Sequence, residues 1–233
     1  MSIIGEPGSY DPSVYDDIEG GDNECVWIEN ILGHLPGVSI QGFRVSHGDP
    51  VPAPGDGDVF ILGGSYNSVH DGFPWQTVIY RWLETLRASA KPLLAICGGH
   101  QMICHMAGVP VEPLPDGFIA GTEPVTMTDQ GRASPLFKGL DQGGEFHFAN
   151  QEHATETPSG ARLLASHERA PVAALDHGEG WFSTQFHPEA TVQTIGSSWR
   201  VSHPERVRNY REITDGLKLI KNFLDIAGQG GRV

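Results

Sequence analysis

The stretch Leu93-Leu94-Ala95-Ile96-Cys97-Gly98-Gly99-His100-Gln101 constrains this chain more than any other. An apolar run ends on a cysteine, two glycines follow, and a helical pattern begins at His100-Gln101-Met102-Ile103. Strand, tight turn and helix in that order put a thiol at the bend, and small neighbours make such a strained turn possible. The start of the helix offers free N–H groups and a partial positive charge. Both favour a thiolate and an oxyanion formed beside it.

The flanking pattern extends this unit. Asp58–Leu62 is a second apolar run, and it too ends on glycines, Gly63-Gly64-Ser65. Pro74 suits a first helical turn, and the spacing of Val78, Ile79, Trp82, Leu83 and Leu86 predicts a helix to about Ala90. Strands alternating with helices read as an open, mostly parallel sheet with helices on both faces, whose site lies beyond the carboxyl ends of the strands. Upstream, the pattern predicts a strand at Ser2–Ile4, a long loop over 5–23, a helix over Cys25–Leu35 and a strand over Val38–Val45. From Val109 to Phe186 short apolar runs separated by turns predict a small mixed or antiparallel sheet appended to the parallel core. A last helix is expected over Pro204–Ala227. No repeat, low-complexity tract or linker divides the chain, so one α/β domain over 1–233 is expected.

Composition narrows the function. The net charge is −14, and residues 1–60 hold eleven acidic residues against the single basic Arg44. That excess excludes nucleic acid and an anionic membrane as partners; it reads as a solubility device or as a docking surface for a basic partner. No stretch approaches the ~18 apolar residues of a membrane span, and the first residues lack the basic and apolar regions of a signal peptide. A cytoplasmic location is the expectation. Cys25, Cys97 and Cys104 are too few and too unevenly spaced for a disulfide framework, and Cys25 and Cys104 read as buried structural thiols. His147, His153, His167, His177 and His203 show no metal-ligand spacing, so no metal and no cofactor are expected.

A cysteine nucleophile needs a base to take its proton and return it to the leaving group, and the base needs an orienting carboxylate. Thr184-Gln185-Phe186-His187-Pro188-Glu189 supplies both: a strand-like run ends at His187, and Glu189 follows across a proline. His100 is read as a packing residue, and nothing ties Glu145 to Cys97.

Together, Cys97-Gly98-Gly99-His100-Gln101 and, 90 residues on, Gln185-Phe186-His187-Pro188-Glu189 resemble the triad motifs of class I glutamine amidotransferases. Ile61-Leu62-Gly63-Gly64-Ser65-Tyr66-Asn67-Ser68-Val69-His70-Asp71 with Pro74-Trp75 is similar to a stretch of the stand-alone members related to the glutaminase domain of GMP synthetase. So are Leu114-Pro115-Asp116-Gly117, Gly121-Thr122 and the segment Thr157–Ala165. The resemblance covers 58–190 well and the ends poorly.

It implies that Cys97 attacks the side-chain amide of glutamine, that His187 protonates departing ammonia and activates water, and that Glu189 orients His187. It implies an oxyanion hole from the backbone N–H groups of Gly64 and Gly98, and substrate contacts at Ser65, Gln101, Asn150 and Gln151. The chain also departs from the family pattern. Ala95 replaces the first glycine of the elbow, and Met106-Ala107-Gly108 replaces Leu-Gly-Gly after it. Gly98 stands where a larger residue is common, which would open the local wall. Asn150 and Glu152 take the His and Asp positions of a His-Gln-Asp-Gln segment that lines the glutamine pocket. Three activities stay open: a glutaminase passing ammonia to a separate synthetase, a free-standing hydrolase of γ-glutamyl amides or peptides, and a regulatory protein without turnover.

Overall fold

The computed structural model describes residues 1–140 and 143–230. In chain order the elements are α1 (Glu24–Leu32), β1 (Phe60–Leu62), α2 (Pro74–Ala88), β2 (Leu93–Ile96), α3 (Gly98–Met106), β3 (Val111–Pro113), β4 (Ile119–Pro124) and β5 (Thr126–Met127). There follow α4 (Asp129–Ala133), β6 (Glu145–Asn150), β7 (Glu152–Ala154), β8 (Arg162–Ser166), β9 (Ala174–Asp176), β10 (Trp181–Thr184), α5 (Val192–Ser197) and α6 (Asp215–Gly230). One six-stranded sheet runs in the order β1-β2-β10-β9-β8-β5.

The first three strands of that sheet are parallel, with Leu62 opposite Ala95 and Ile96 opposite Thr184. Their carboxyl ends therefore lie side by side, and Gly63-Gly64, Cys97 and the approach to His187 leave the sheet at one edge. Side chains along β2 alternate between two cores. Leu94 and Ile96 pack with Leu219, Ile220 and Phe223 of α6. Leu93 and Ala95 pack with Ile79, Trp82 and Leu83 of α2 and Met102 of α3. Period-two alternation thus covers both faces of the sheet with helices, as an α/β fold requires.

Three local expectations differ from what forms. The strands between 126 and 184 are not a separate layer: β9, β8 and β5 extend the main sheet in antiparallel pairs. Only the ribbons β4–β6 and β3–β7 stand apart from it. Ser2–Ile4 and Val38–Val45 meet only at a parallel bridge between Ser2 and Arg44. Gly42 lies against Cys25, where a Cβ would come within 2.5 Å of the cysteine Cβ, and Val45–His47 turns as a 3-10 helix. The last helix starts at Asp215, not at Pro204; a 3-10 turn covers Pro204–Asn209. Between them the chain is held extended because Tyr210 donates its hydroxyl to the Phe148 carbonyl at 2.7 Å and Arg211 donates to the Thr122 carbonyl at 3.1 Å. Tertiary hydrogen bonds override the helical spacing there. Cys104 is fully buried, and burial pushes its thiol up to about 12; Cys25 is half-buried.

Candidate active site

Cys97 adopts φ +48°, ψ −101°, the strained corner that a nucleophile elbow needs. The corner is pinned on three sides. The Cys97 amide donates to the Thr184 carbonyl at 2.7 Å, and the Cys97 carbonyl accepts from Gln101 N at 2.9 Å as α3 begins. The Gly99 amide donates to the Gly63 carbonyl at 3.2 Å. These bonds tie the elbow to the ends of β10 and β1. A further donor reaches the sulfur: Gln185 Nε2 lies 3.6 Å from Cys97 Sγ.

His187 follows Phe186, a fully buried ring stacked on Phe146 at 4.0 Å between centroids. The His187 amide donates to the His147 carbonyl at 2.8 Å, so β6 fixes its backbone. α6 presses on the next residue: a Cβ on Gly216 would stand 2.3 Å from the Pro188 carbonyl oxygen. His187 Nδ1 and Glu189 Oε1 are 2.8 Å apart in a buried pair. Burial alone would lower the His187 pKa; the Glu189 carboxylate and the Cys97 sulfur override it and hold the imidazole well above its usual value. His187 Nε2 has no hydrogen-bond partner among the described residues. A Cβ built on Gly64 would lie 2.8 Å from His187 Cε1 and 3.5 Å from Cys97 Cβ, so Gly64 sits between the two side chains.

Cys97, His187, Glu189, Gly64, Ser65, Gln101, Asn150 and Gln151 all line one cavity of about 460 Å³. Gln101 does so with its amide nitrogen already committed, donating to the Glu152 carbonyl at 2.8 Å and to Gln185 Oε1 at 3.2 Å. Asn150 Nδ2 donates to the same Glu152 carbonyl at 3.0 Å, and Asn150 Oδ1 is buried without a partner. Gly98 corrects one expectation. It does not open the wall, because a Cβ there would meet Ser65 N at 2.7 Å and Ser65 Cβ at 2.8 Å. The backbone of Ser65 occupies the space, and glycine is what lets it approach. Ala95 is fully buried in the sheet and leaves the elbow formed. His100 is a buried packing residue, its Nδ1 2.8 Å from Ser183 Oγ, and burial lowers its pKa to about 3.

The motifs did not reveal the other half of the lining. Tyr15 and Glu24 from the first 30 residues, and Ile195 and Trp199 from α5 and the turn after it, complete the cavity. Glu24 is buried at the first position of α1, accepts from Ser2 Oγ at 2.6 Å, and has its pKa raised by burial to about 7. A charged residue opening a helix reads as a solvent-exposed start. The only sequence signal was the cluster of Tyr and Trp in an otherwise polar, glycine-rich loop region.

Residues 43–200 match the family model described as glutamine amidotransferase class-I. A GMP synthase [glutamine-hydrolyzing] of Porphyromonas gingivalis is 34% identical over 169 residues, which cover 72% of this chain and 28% of that protein. The corresponding protein of Thermus thermophilus is 31% identical over 144 residues, 61% of this chain and 24% of its own length. The chain therefore spans about a quarter of these relatives. Among solved structures, a glutamine amidotransferase from Thermotoga maritima superposes with a TM-score of 0.71 at 16% identity, covering 86% of this chain and 90% of that one. One from Methylobacillus flagellatus gives 0.69 at 17% identity, with 86% of each chain covered. These two likenesses are of fold. The family match rests on the sequence that carries the elbow and the His187 motif: this chain belongs to the class I glutamine amidotransferase family.

Proposed function

We propose that this chain hydrolyses the side-chain amide of glutamine through a thioester on Cys97, and that the ammonia passes to a separate synthetase. The observation that carries the reading is the convergence of a cysteine in a strained corner, an imidazole bonded to a buried carboxylate and the strand-end glycine Gly64 in one cavity.

In this mechanism Cys97 reacts as the thiolate, its proton held by His187. The raised pKa of His187 supports that pairing, and the Gln185 amide steadies the sulfur. Sγ attacks the side-chain carbonyl carbon, and the oxyanion accepts from the amides of Gly64 and Gly98. Gly98 opens α3, where an N–H has no helical acceptor of its own. Each such donor is worth ~3 kcal/mol in the transition state. His187 gives its proton to the departing nitrogen, the C–N bond breaks, and ammonia leaves. Water then loses a proton to His187 and attacks the thioester, releasing glutamate and restoring the thiolate. Glu189 keeps Nδ1 protonated and Nε2 aimed at the cavity. Ser65, Asn150 and Gln151 hold the amino-acid end, while Gln101 builds the floor by fixing the Glu152 carbonyl.

A second reading, a free-standing hydrolase of γ-glutamyl amides, is favoured by the chain's own segments around Tyr15 and Trp199, which line the same cavity as Cys97. Release of glutamate and ammonia from glutamine, compared between the wild type and Cys97→Ser, tests the chemistry common to both. Loss of release in the variant is expected. Equal release from both proteins would overturn it.

A further inference from the structure

The cavity does not stop at the triad. The nitrogen that leaves must stand beside His187, and the part of the same cavity lined by Glu24, Trp27 and Tyr15 is a chamber that ammonia does not need. Glu24 marks its depth: a Cβ on Gly63 would touch the Glu24 carboxylate at 2.9 Å, while the next residue, Gly64, touches His187. Trp27 lies three residues after Glu24 on α1, so the two side chains share a helix face, and both line the cavity. The rings of Tyr15 and Trp27 pack at 4.9 Å between centroids. Ile195 and Trp199 line the same cavity.

The chain ties the walls of this chamber together by its own contacts. Tyr15 and Tyr66 share a hydroxyl hydrogen bond of 2.6 Å, Arg200 pairs with Asp17 at 2.6 Å, and Gln193 Nε2 donates to the Asp17 carbonyl at 3.3 Å. Carboxylates line the cavity and, among the described residues, no lysine or arginine does; the positive charges near Glu24 are the His187 imidazole and the Met1 ammonium. Of the residues lining it, Asn150 and Glu189 each keep one buried oxygen, Oδ1 and Oε2, without a hydrogen-bond partner among the described residues. Aromatic faces beside a buried carboxylate recognise an ammonium group, through cation–π attraction and a charge-assisted hydrogen bond. The volume, about 460 Å³, lies within the range of pockets that enclose a whole small ligand.

We propose that this chamber receives the amine half of a γ-glutamyl amide whose amine carries a second, protonated nitrogen, a diamine in the simplest case, and that Glu24 holds that ammonium beside Trp27 and Tyr15. The proposal rests on Cys97 attacking a γ-glutamyl carbonyl, as in the preceding section. The bonds balance as they do for glutamine. Sγ bonds to the carbonyl carbon, the C–N bond breaks, and the proton of His187 goes to the leaving nitrogen, which departs as the free diamine. Water returns a proton to His187, cleaves the thioester and frees glutamate. Burial pushes the Glu24 carboxyl up to about 7, a range in which an adjacent cation ionises it.

The test compares three substrates on the full chain: glutamine, the mono-γ-glutamyl amide of 1,4-diaminobutane, and that of pentylamine, a neutral analogue of similar length. The diamine amide is expected to show a kcat/KM at least tenfold above the pentylamine amide, and Glu24→Gln to bring that ratio near one. Free 1,4-diaminobutane should compete with substrate on the wild type where pentylamine does not, a readout that needs no variant to fold. Equal kcat/KM for the two amides, or turnover of glutamine alone, overturns the proposal and leaves the Cys97 chemistry standing. Turnover of none of the three overturns both.

Discussion

Gly64 and His187 are in such close contact that a single methyl group on the glycine would stand 2.8 Å from the imidazole Cε1. The end of β1 therefore sets where the base can sit, although the residues are 123 apart in sequence. The same methyl would be 3.5 Å from Cys97 Cβ, an ordinary contact. The clash falls on His187 and spares Cys97.

Gly64→Ala is expected to act on turnover more than on folding. Its backbone does not need a left-handed conformation, so the added methyl makes one steric demand, displacement of the His187 ring. A shift on the order of 1 Å in a catalytic group can cost about 100-fold in rate, while overpacking of this kind costs about 1–3 kcal/mol. Kinetics on glutamine with thermal unfolding of the same preparation checks both. Retention of more than half the wild-type kcat/KM would show that His187 is not held where the structure places it.

Glu189→Gln is expected to release His187 from the one carboxylate that keeps it charged. Burial then dominates, and the imidazole pKa falls. The linkage has a definite sign. A histidine raised in the folded state stabilises the fold fully below its unfolded value of ~6.5, and that contribution disappears as pH climbs through the folded value. The stability gap between wild type and variant should be widest near pH 6 and shrink toward alkaline pH. Titration of the His187 Cε1–H resonance gives the direct reading, and an unchanged midpoint in the variant would contradict the assignment. Turnover should fall by 10²-fold or more, the scale of a misdirected general base.

Glu24→Gln carries the opposite signature. The Glu24 pKa is raised by burial from 4.5 to about 7, so the fold favours its neutral form. That advantage is complete below pH 4.5 and is lost as pH rises through about 7. A glutamine keeps the bond from Ser2 Oγ and never ionises. The variant should match the wild type near pH 4.5 and exceed it by up to about 3 kcal/mol at pH 8. Chemical denaturation across that range measures it, and parallel curves would mean that Glu24 is not buried.

The elbow at Cys97 and the pairing of His187 with Glu189 were legible in the sequence because both motifs are local. An apolar run that stops at Cys97-Gly98-Gly99 leaves the chain few shapes. Two runs ending on glycine pairs marked β1 and β2 as strands, and their parallel pairing, Leu62 opposite Ala95, is what brings those ends together. The non-local parts were less legible. That β8 and β9 continue the main sheet depends on pairings such as Leu163 with Leu175, which no spacing encodes. The break at Tyr210 depends on the carbonyl of Phe148, 62 residues away. Gly98 misled because its neighbour in space is the backbone of Ser65, and a glycine motif does not name what approaches it. Glu24 was hidden because an acid at a helix start usually faces solvent, whereas here α1 turns that position into the cavity.

Every step proposed for this cavity depends on Cys97 attacking a γ-glutamyl carbonyl. Incubation of the full chain with a chloromethyl ketone analogue of glutamine, followed by peptide mass spectrometry, shows whether it does. One adduct is expected, on Cys97, absent in Cys97→Ala and slowed by excess glutamine, with Cys25 and Cys104 unmodified. Modification of Cys25 in preference, or no adduct on Cys97 while the protein is folded, would contradict it.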